Sequence, residues 1–93
     1  MLAIYQTKTF RKSLKKAQRR QGFSEDELAD VIDKIRKRQA LEVRYSDHPL
    51  KGTFIGHREC HLSFGLLLIY KVHEDLQVLS LTDIDTHPKL FGR

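Results

Sequence analysis

The run "LLLIYKV", Leu66 to Val72, restricts the possible folds more than any other stretch of this chain. Apolar and aromatic residues follow one another with a single break at Lys71, so the run shows no inside–outside alternation. That is the pattern of a strand covered on both faces, hence of a central strand. Its neighbours are tied to it tightly. "SFG" precedes it, "HED" follows it, and connections this short are hairpins. The strand-like runs Thr53 to Leu62 and Leu76 to Asp83 therefore lie antiparallel to it. Such a sheet needs a second layer to cover its apolar face.

The stretch "FSEDELADVIDKIRKR" supplies part of that layer. Ser24 with Glu27 three residues on makes an S-x-x-E capping box, and Phe23 with Leu28 has the spacing of a hydrophobic staple. Glu25, Asp26 and Glu27 open the helix, while Lys34, Arg36, Lys37 and Arg38 close it, an order that favours the helix dipole. Leu28, Val31, Ile32 and Ile35 form the stripe that must be buried. An earlier helix starts at Thr7 or Thr9, carries Phe10, Leu14 and Ala17 on one narrow face, and stops at Gly22. Before it, "LAIYQ" (Leu2 to Gln6) reads as a short strand. "ALEVRYSDHPLKG" is a connector in which Pro49 keeps His48 extended. "THPKLFGR" is a terminal segment folded back over the sheet. The expected class is α+β in the order β-α-α-β-β-β: a small antiparallel sheet with two helices packed on one face. The other face is free to carry a site. At this length one modest core is available, so residues 1–93 are read as a single domain.

Charge narrows the partners. Met1 to Phe23 holds seven Lys or Arg and no acid, whereas the rest of the chain is close to balance. A basic first helix suits a polyanion such as RNA, an acidic protein partner, or simply a solvated face. No apolar run approaches the roughly 20 residues of a membrane span. The N-terminus lacks the basic start and long apolar region of a signal peptide. A cytoplasmic location is expected. The single cysteine, Cys60, excludes an internal disulfide framework and reads as a small buried hydrophobe.

Five histidines, three of them within "SDHPLKGTFIGHRECHL", raise the question of a site. His57 and His61 have the H-x3-H spacing of zinc pairs. In a strand, however, that separation spans roughly 13 Å, too wide to share one ion. No metal or other cofactor is expected. A nucleophilic Cys60 would need an adjacent base, and strand alternation turns it away from His61. General acid–base chemistry suits the parts better. Cleaving RNA without a metal needs a base for the ribose 2′-hydroxyl, an acid for the leaving 5′-oxygen, and positive charge at the phosphate.

The segments "DHPLKG", "HRECH", "LLLIYKV" and "THPKLFG", in this order and spacing, resemble the YafQ branch of the RelE-type bacterial toxins over nearly the whole chain. The resemblance implies a RelE-like fold and a ribosome-dependent endoribonuclease that enters the ribosomal A site and cuts messenger RNA without metal. It also implies a cognate antitoxin that silences the toxin. Carried over by position, His48, His61 and His87 match the family's catalytic histidines. His87 is expected to exchange a proton at the scissile phosphate, and Phe91 to stack on or orient a base. Lys51 and Arg58 are candidate phosphate contacts; the other reading of Arg58 is an ion pair with an acid such as Asp47. His57 and His73 read as surface residues. The chain departs from the family pattern in two places. Gly65 and Leu66 stand where an acid and an aromatic are usual, and Asp83 stands where an arginine is usual. Replacing a cation aimed at the phosphate by an anion predicts weakened cleavage. The alternative is a catalytically degenerate module that binds an antitoxin or nucleic acid without cutting RNA.

Overall fold

The computed structural model describes residues 1–92. In chain order the elements are β1 (Ala3–Gln6), α1 (Lys8–Ala17), α2 (Glu25–Arg36), β2 (His48–Pro49), β3 (Arg58–His61), β4 (Leu66–His73), β5 (Val78–Thr86) and α3 (His87–Phe91). The sheet runs β1-β5-β4-β3-β2, so the apolar run Leu66 to Val72 does form the middle strand. β2 to β5 are antiparallel as the short connections require, whereas β1 joins β5 in parallel. The two helices carry the chain from β1 at one edge of the sheet to β2 at the other. Leu2 N–H donates to Arg36 O and Arg36 Nε donates to Leu2 O, which ties the end of α2 to the chain just before β1.

The helix signals are local and most of them hold. Thr7 caps α1, its Oγ1 accepting from Phe10 N at 2.9 Å, and Ser24 Oγ accepts from Glu27 N at 3.1 Å. Half of the capping box is absent. The Glu27 carboxylate accepts instead from Ser63 N and Ser63 Oγ, at 3.0 and 2.7 Å, pinning α2 to the turn before β4. A tertiary donor pair replaces the single backbone N–H that the local motif offers. α1 ends at Ala17, short of Gly22. Gly22 serves the later turn, at φ +87°, where the Phe64 ring occupies the space a Cβ would need.

Phe10, Ala17, Leu28, Val31 and Ile35 pack on one sheet face with Leu2, Cys60, Leu66, Leu68, Tyr70, Leu79, Leu81 and Ile84, forming the hydrophobic core. Two expectations change in the strands. The run from Thr53 is mostly a closed loop, and only Arg58–His61 is strand; Gly52–Phe54 is a 3-10 turn. β5 begins two residues later than the expected run and extends to Thr86, with a register shift opposite Ile69/Tyr70. Leu81 pairs with Tyr70 and Asp83 with Ile69, leaving Thr82 as the inserted residue. Such a bulge turns the following residues over. Leu79 and Leu81 face the core before it and Ile84 after it, so Asp83 and Asp85 face the opposite side.

Candidate active site

Cross-strand neighbours share a face, and the pairing lays out the face away from the helices. One row reads His48 (β2), Glu59 (β3), Ile69 (β4), Asp83 (β5). The next reads His61 (β3), Leu67 (β4), Asp85 (β5). α3 then returns the chain at the end of β5, starting with His87. A cleft of about 660 Å³ is lined by His48, Leu50, Glu59, His61, His87 and Phe91. Loop, strand and tail thus contribute to one concavity.

Glu59 is the centre of the arrangement. The residue is only 4% exposed. One oxygen, Oε1, lies 3.0 Å from His61 Nε2 and 3.9 Å from His48 Nε2. The two imidazoles tilt toward one another with ring centroids 6.0 Å apart. His48 is oriented from behind. Its Nδ1 is 2.6 Å from Ser46 O, and since a carbonyl only accepts, Nδ1 carries the proton and Nε2 is the nitrogen turned to the site. Ser46 can present that carbonyl because it adopts a left-handed conformation, φ 46°, ending a 3-10 turn. His87 and Phe91, four residues apart on α3, also line the cleft, their ring centroids 4.8 Å apart and tilted by 44°.

Each expected residue can now be placed. The structure brings His48, His61, His87 and Phe91 together. It does not bring Lys51, which is exposed and outside the cleft lining, or Arg58. Arg58 alternates to the core side of β3, where its Nε donates to Asp47 Oδ1 at 3.2 Å. Tyr70 Oη donates to the same oxygen at 2.6 Å. Burial lowers the Arg58 pKa, but the bonds to Asp47 and Tyr70 outweigh it and the net shift is upward. Burial, reinforced by Asp47, pushes the Tyr70 phenol up as well. Arg58 therefore holds the segment that leads into His48, through Asp47 beside it. His57 is half-buried against Phe54 instead of lying free on the surface. Cys60 is wholly buried, and burial, with Asp47, Glu59 and Glu27 nearby, pushes its thiol up to about 12, which removes it as a nucleophile near neutral pH.

Glu59 and Leu50 are the cleft residues that the sequence did not single out. The signal for Glu59 was present in "HRECH", where alternation puts it on His61's face. It supplies the site with a carboxylate although Gly65 and Leu66 do not. Among the described residues no Lys or Arg lines the cleft. The ligand-capable atoms of His48, Glu59 and His61 all lie within 4.8 Å of one another. This trio could hold a divalent cation through two imidazoles and a carboxylate, and it arises across strands, not from the H-x3-H spacing.

The model of the family described as "Bacterial toxin of type II toxin-antitoxin system, YafQ" matches residues 2–92. The mRNA interferase toxin YafQ of Escherichia coli K12 is 40% identical over 52 residues, 56% of this chain and 54% of that protein; the alignment spans about half of each. Among solved structures, a metal-bound toxin from Helicobacter pylori superposes with a TM-score of 0.90 at 38% identity, covering 98% of this chain and all of that one. YafQ from E. coli BL21(DE3) gives a TM-score of 0.86 at 27% identity, covering 99% and 100%. The toxin in the E. coli DinJ–YafQ toxin–antitoxin complex gives 0.83 at 28% identity, covering 98% of both.

Proposed function

This chain belongs to the YafQ family of type II toxin–antitoxin toxins, and from that premise we propose that it is an endoribonuclease that cuts messenger RNA in the ribosomal A site by histidine acid–base chemistry. The observation that carries the reading is the convergence of His48, His61 and His87 with Glu59 and Phe91 on one open cleft. In the proposed reaction the ribose 2′-oxygen attacks the adjacent phosphorus and its proton passes to an imidazole. The bond to the 5′-oxygen breaks, and that oxygen takes a proton from a second imidazole. The products are a 2′,3′-cyclic phosphate and a 5′-hydroxyl end, and no metal enters the balance. His87 lines the same cleft as the Glu59-linked pair, and we assign one proton transfer to it and the other to that pair. Glu59 orients His61 and His48 and stabilises whichever imidazole is protonated. Phe91 offers a face for a base. The seven Lys and Arg before Phe23 supply a basic surface for ribosomal RNA or for an acidic antitoxin.

No helix among the described residues is long and apolar enough to cross a membrane. The proposed place of action is the cytoplasm, where messages are translated. A cognate antitoxin is the proposed protein partner, by analogy with the DinJ–YafQ complex. The test is cleavage on programmed ribosomes and growth arrest on induction. His87→Ala is expected to lower the cleavage rate by roughly 10²- to 10⁴-fold and to relieve the arrest; unchanged toxicity would take His87 out of the mechanism.

One observation favours a second reading, a module that binds its antitoxin without cutting RNA. The cleft lining carries no Lys or Arg among the described residues, and Asp83 and Asp85 share its face. A purified protein that binds antitoxin and leaves programmed ribosomes intact would establish it.

A further inference from the structure

α3 carries two of the cleft-lining side chains, yet it is lightly anchored. It has five residues, none of them buried, and Thr86 makes no side-chain capping bond. So short a helix has no stability of its own, and the contacts made by its side chains decide where it sits. A hold outside its own turn comes from Phe91, whose ring meets Phe54 edge to face at 5.9 Å. Phe54 in turn meets the His57 ring edge to face at 5.9 Å. Four rings therefore run in series, His57, Phe54, Phe91 and His87, from the loop to the site.

The loop end of this series is stiff. Leu50 N–H donates to His57 O, Ile55 N–H to Gly52 O and His57 N–H to Phe54 O, all within 3.0 Å, so residues 50 to 57 close on themselves. Gly52 makes the turn possible at φ +66°. The His57 ring works as a packing surface, for its Nδ1 is buried with no hydrogen-bond partner. Phe54 itself does not line the cleft. Its ring meets the site at Phe91.

We propose that Phe54 is a positioning residue for the site: its ring, braced by His57, seats Phe91 and through it the His87 imidazole. The loop before β3 then takes part in setting how much of the time the His87 imidazole stands in the cleft. As a catalytic role this rests on the endoribonuclease reading; as a structural one it stands alone.

Two measurements separate those levels. On programmed ribosomes, Phe54→Ala is expected to lower kcat by roughly 10- to 100-fold, the scale of a misplaced catalytic group, with KM within about twofold. Phe54→Leu, which keeps apolar bulk without a ring edge, stays impaired, while Phe54→Trp recovers most of the rate. In the isolated protein, proton NMR of Phe54→Ala shows the His87 and Phe91 ring signals moving toward their free-chain positions, with those of His48 and His61 unchanged. Unmoved His87 and Phe91 signals would overturn the proposal, as would full activity in Phe54→Leu. A raised KM at constant kcat would make Phe54 a substrate contact and overturn it too. If the wild-type protein cuts no RNA, the functional reading fails, and the NMR result alone decides whether Phe54 seats α3.

Discussion

If the chain cuts RNA as proposed, replacing Asp83 should improve cleavage. That residue lies in the same cross-strand row as Glu59, separated from it by Ile69. Two inter-strand spacings place its carboxylate about 10 Å from a phosphate bound beside Glu59 and His61. One unit charge at that distance interacts with another by about 0.4 kcal/mol in water and about 1.7 kcal/mol at an effective dielectric of 20. Asp83→Arg changes the charge by two units, a gain of about 0.8 to 3 kcal/mol in transition-state stabilisation, or about 4-fold to above 100-fold in kcat/KM. The cleft is open, so solvent screening places the expected gain toward the lower end. Asp83→Asn should give half of it on a logarithmic scale. Asp83 also accepts a hydrogen bond from Ile84 N at 2.8 Å, and losing that bond should cost about 1 kcal/mol of stability. Single-turnover cleavage on programmed ribosomes is the assay, with urea denaturation as the folding control. The gain should shrink as salt rises, because the Debye length at 0.1 M is close to the separation involved. A correctly folded Asp83→Arg protein with unchanged kcat/KM, or a gain indifferent to salt, would refute the electrostatic reasoning.

Four further outcomes follow from the same geometry. Glu59→Gln keeps the shape of the buried side chain and removes the charge shared by His48 and His61, so kcat should fall about 10- to 100-fold; an unchanged rate and pH profile would show that the carboxylate plays no part. Zn²⁺ or Cu²⁺ should inhibit by occupying the nitrogens of the His48–Glu59–His61 trio, whereas EDTA should leave the rate unaltered, and loss of cleavage in EDTA would mean that the reaction uses a metal. Asp47→Ala strands the buried Tyr70 hydroxyl and the Arg58 guanidinium that share Asp47 Oδ1, with an expected loss of about 2 to 3 kcal/mol in urea denaturation; a loss under about 0.5 kcal/mol would contradict this network. Cys60 should resist thiol reagents at pH 8 in the folded protein and react at once in urea. Its folded pKa, about 12 against an ordinary 9.0, stabilises the fold fully below pH 9, and that contribution drains away as pH rises from 9 toward 12. Equal labelling in both states would contradict the buried placement.

Local chemistry was legible wherever one segment's own neighbours decide its state. Ser24 and the stripe from Leu28 to Ile35 specify α2 because capping and 3.6-residue periodicity act within a few turns. The run Leu66 to Val72 specifies the central strand because short connections leave its neighbours no other direction. The same locality misleads at Glu27, where the motif is complete in sequence but Ser63, 36 residues away, takes the carboxylate.

The candidate histidines were recognisable by type and order, while their meeting was not, since loop closure and strand register are set by packing between distant segments. Alternation along β5 would have sent Asp83 into the core after Leu79 and Leu81; one inserted residue, Thr82, turns it to the face that carries the cleft and lets Ile84 fill the apolar place. Alternation along β3 put Glu59 beside His61, but only pairing with β2 brings His48 to the same carboxylate. What the amino-acid order determined by itself was the set of elements and the chemistry available to them. Which side chains face one another was decided by the tertiary structure, because burying the helix stripes and the central strand together fixes a register that no single segment encodes.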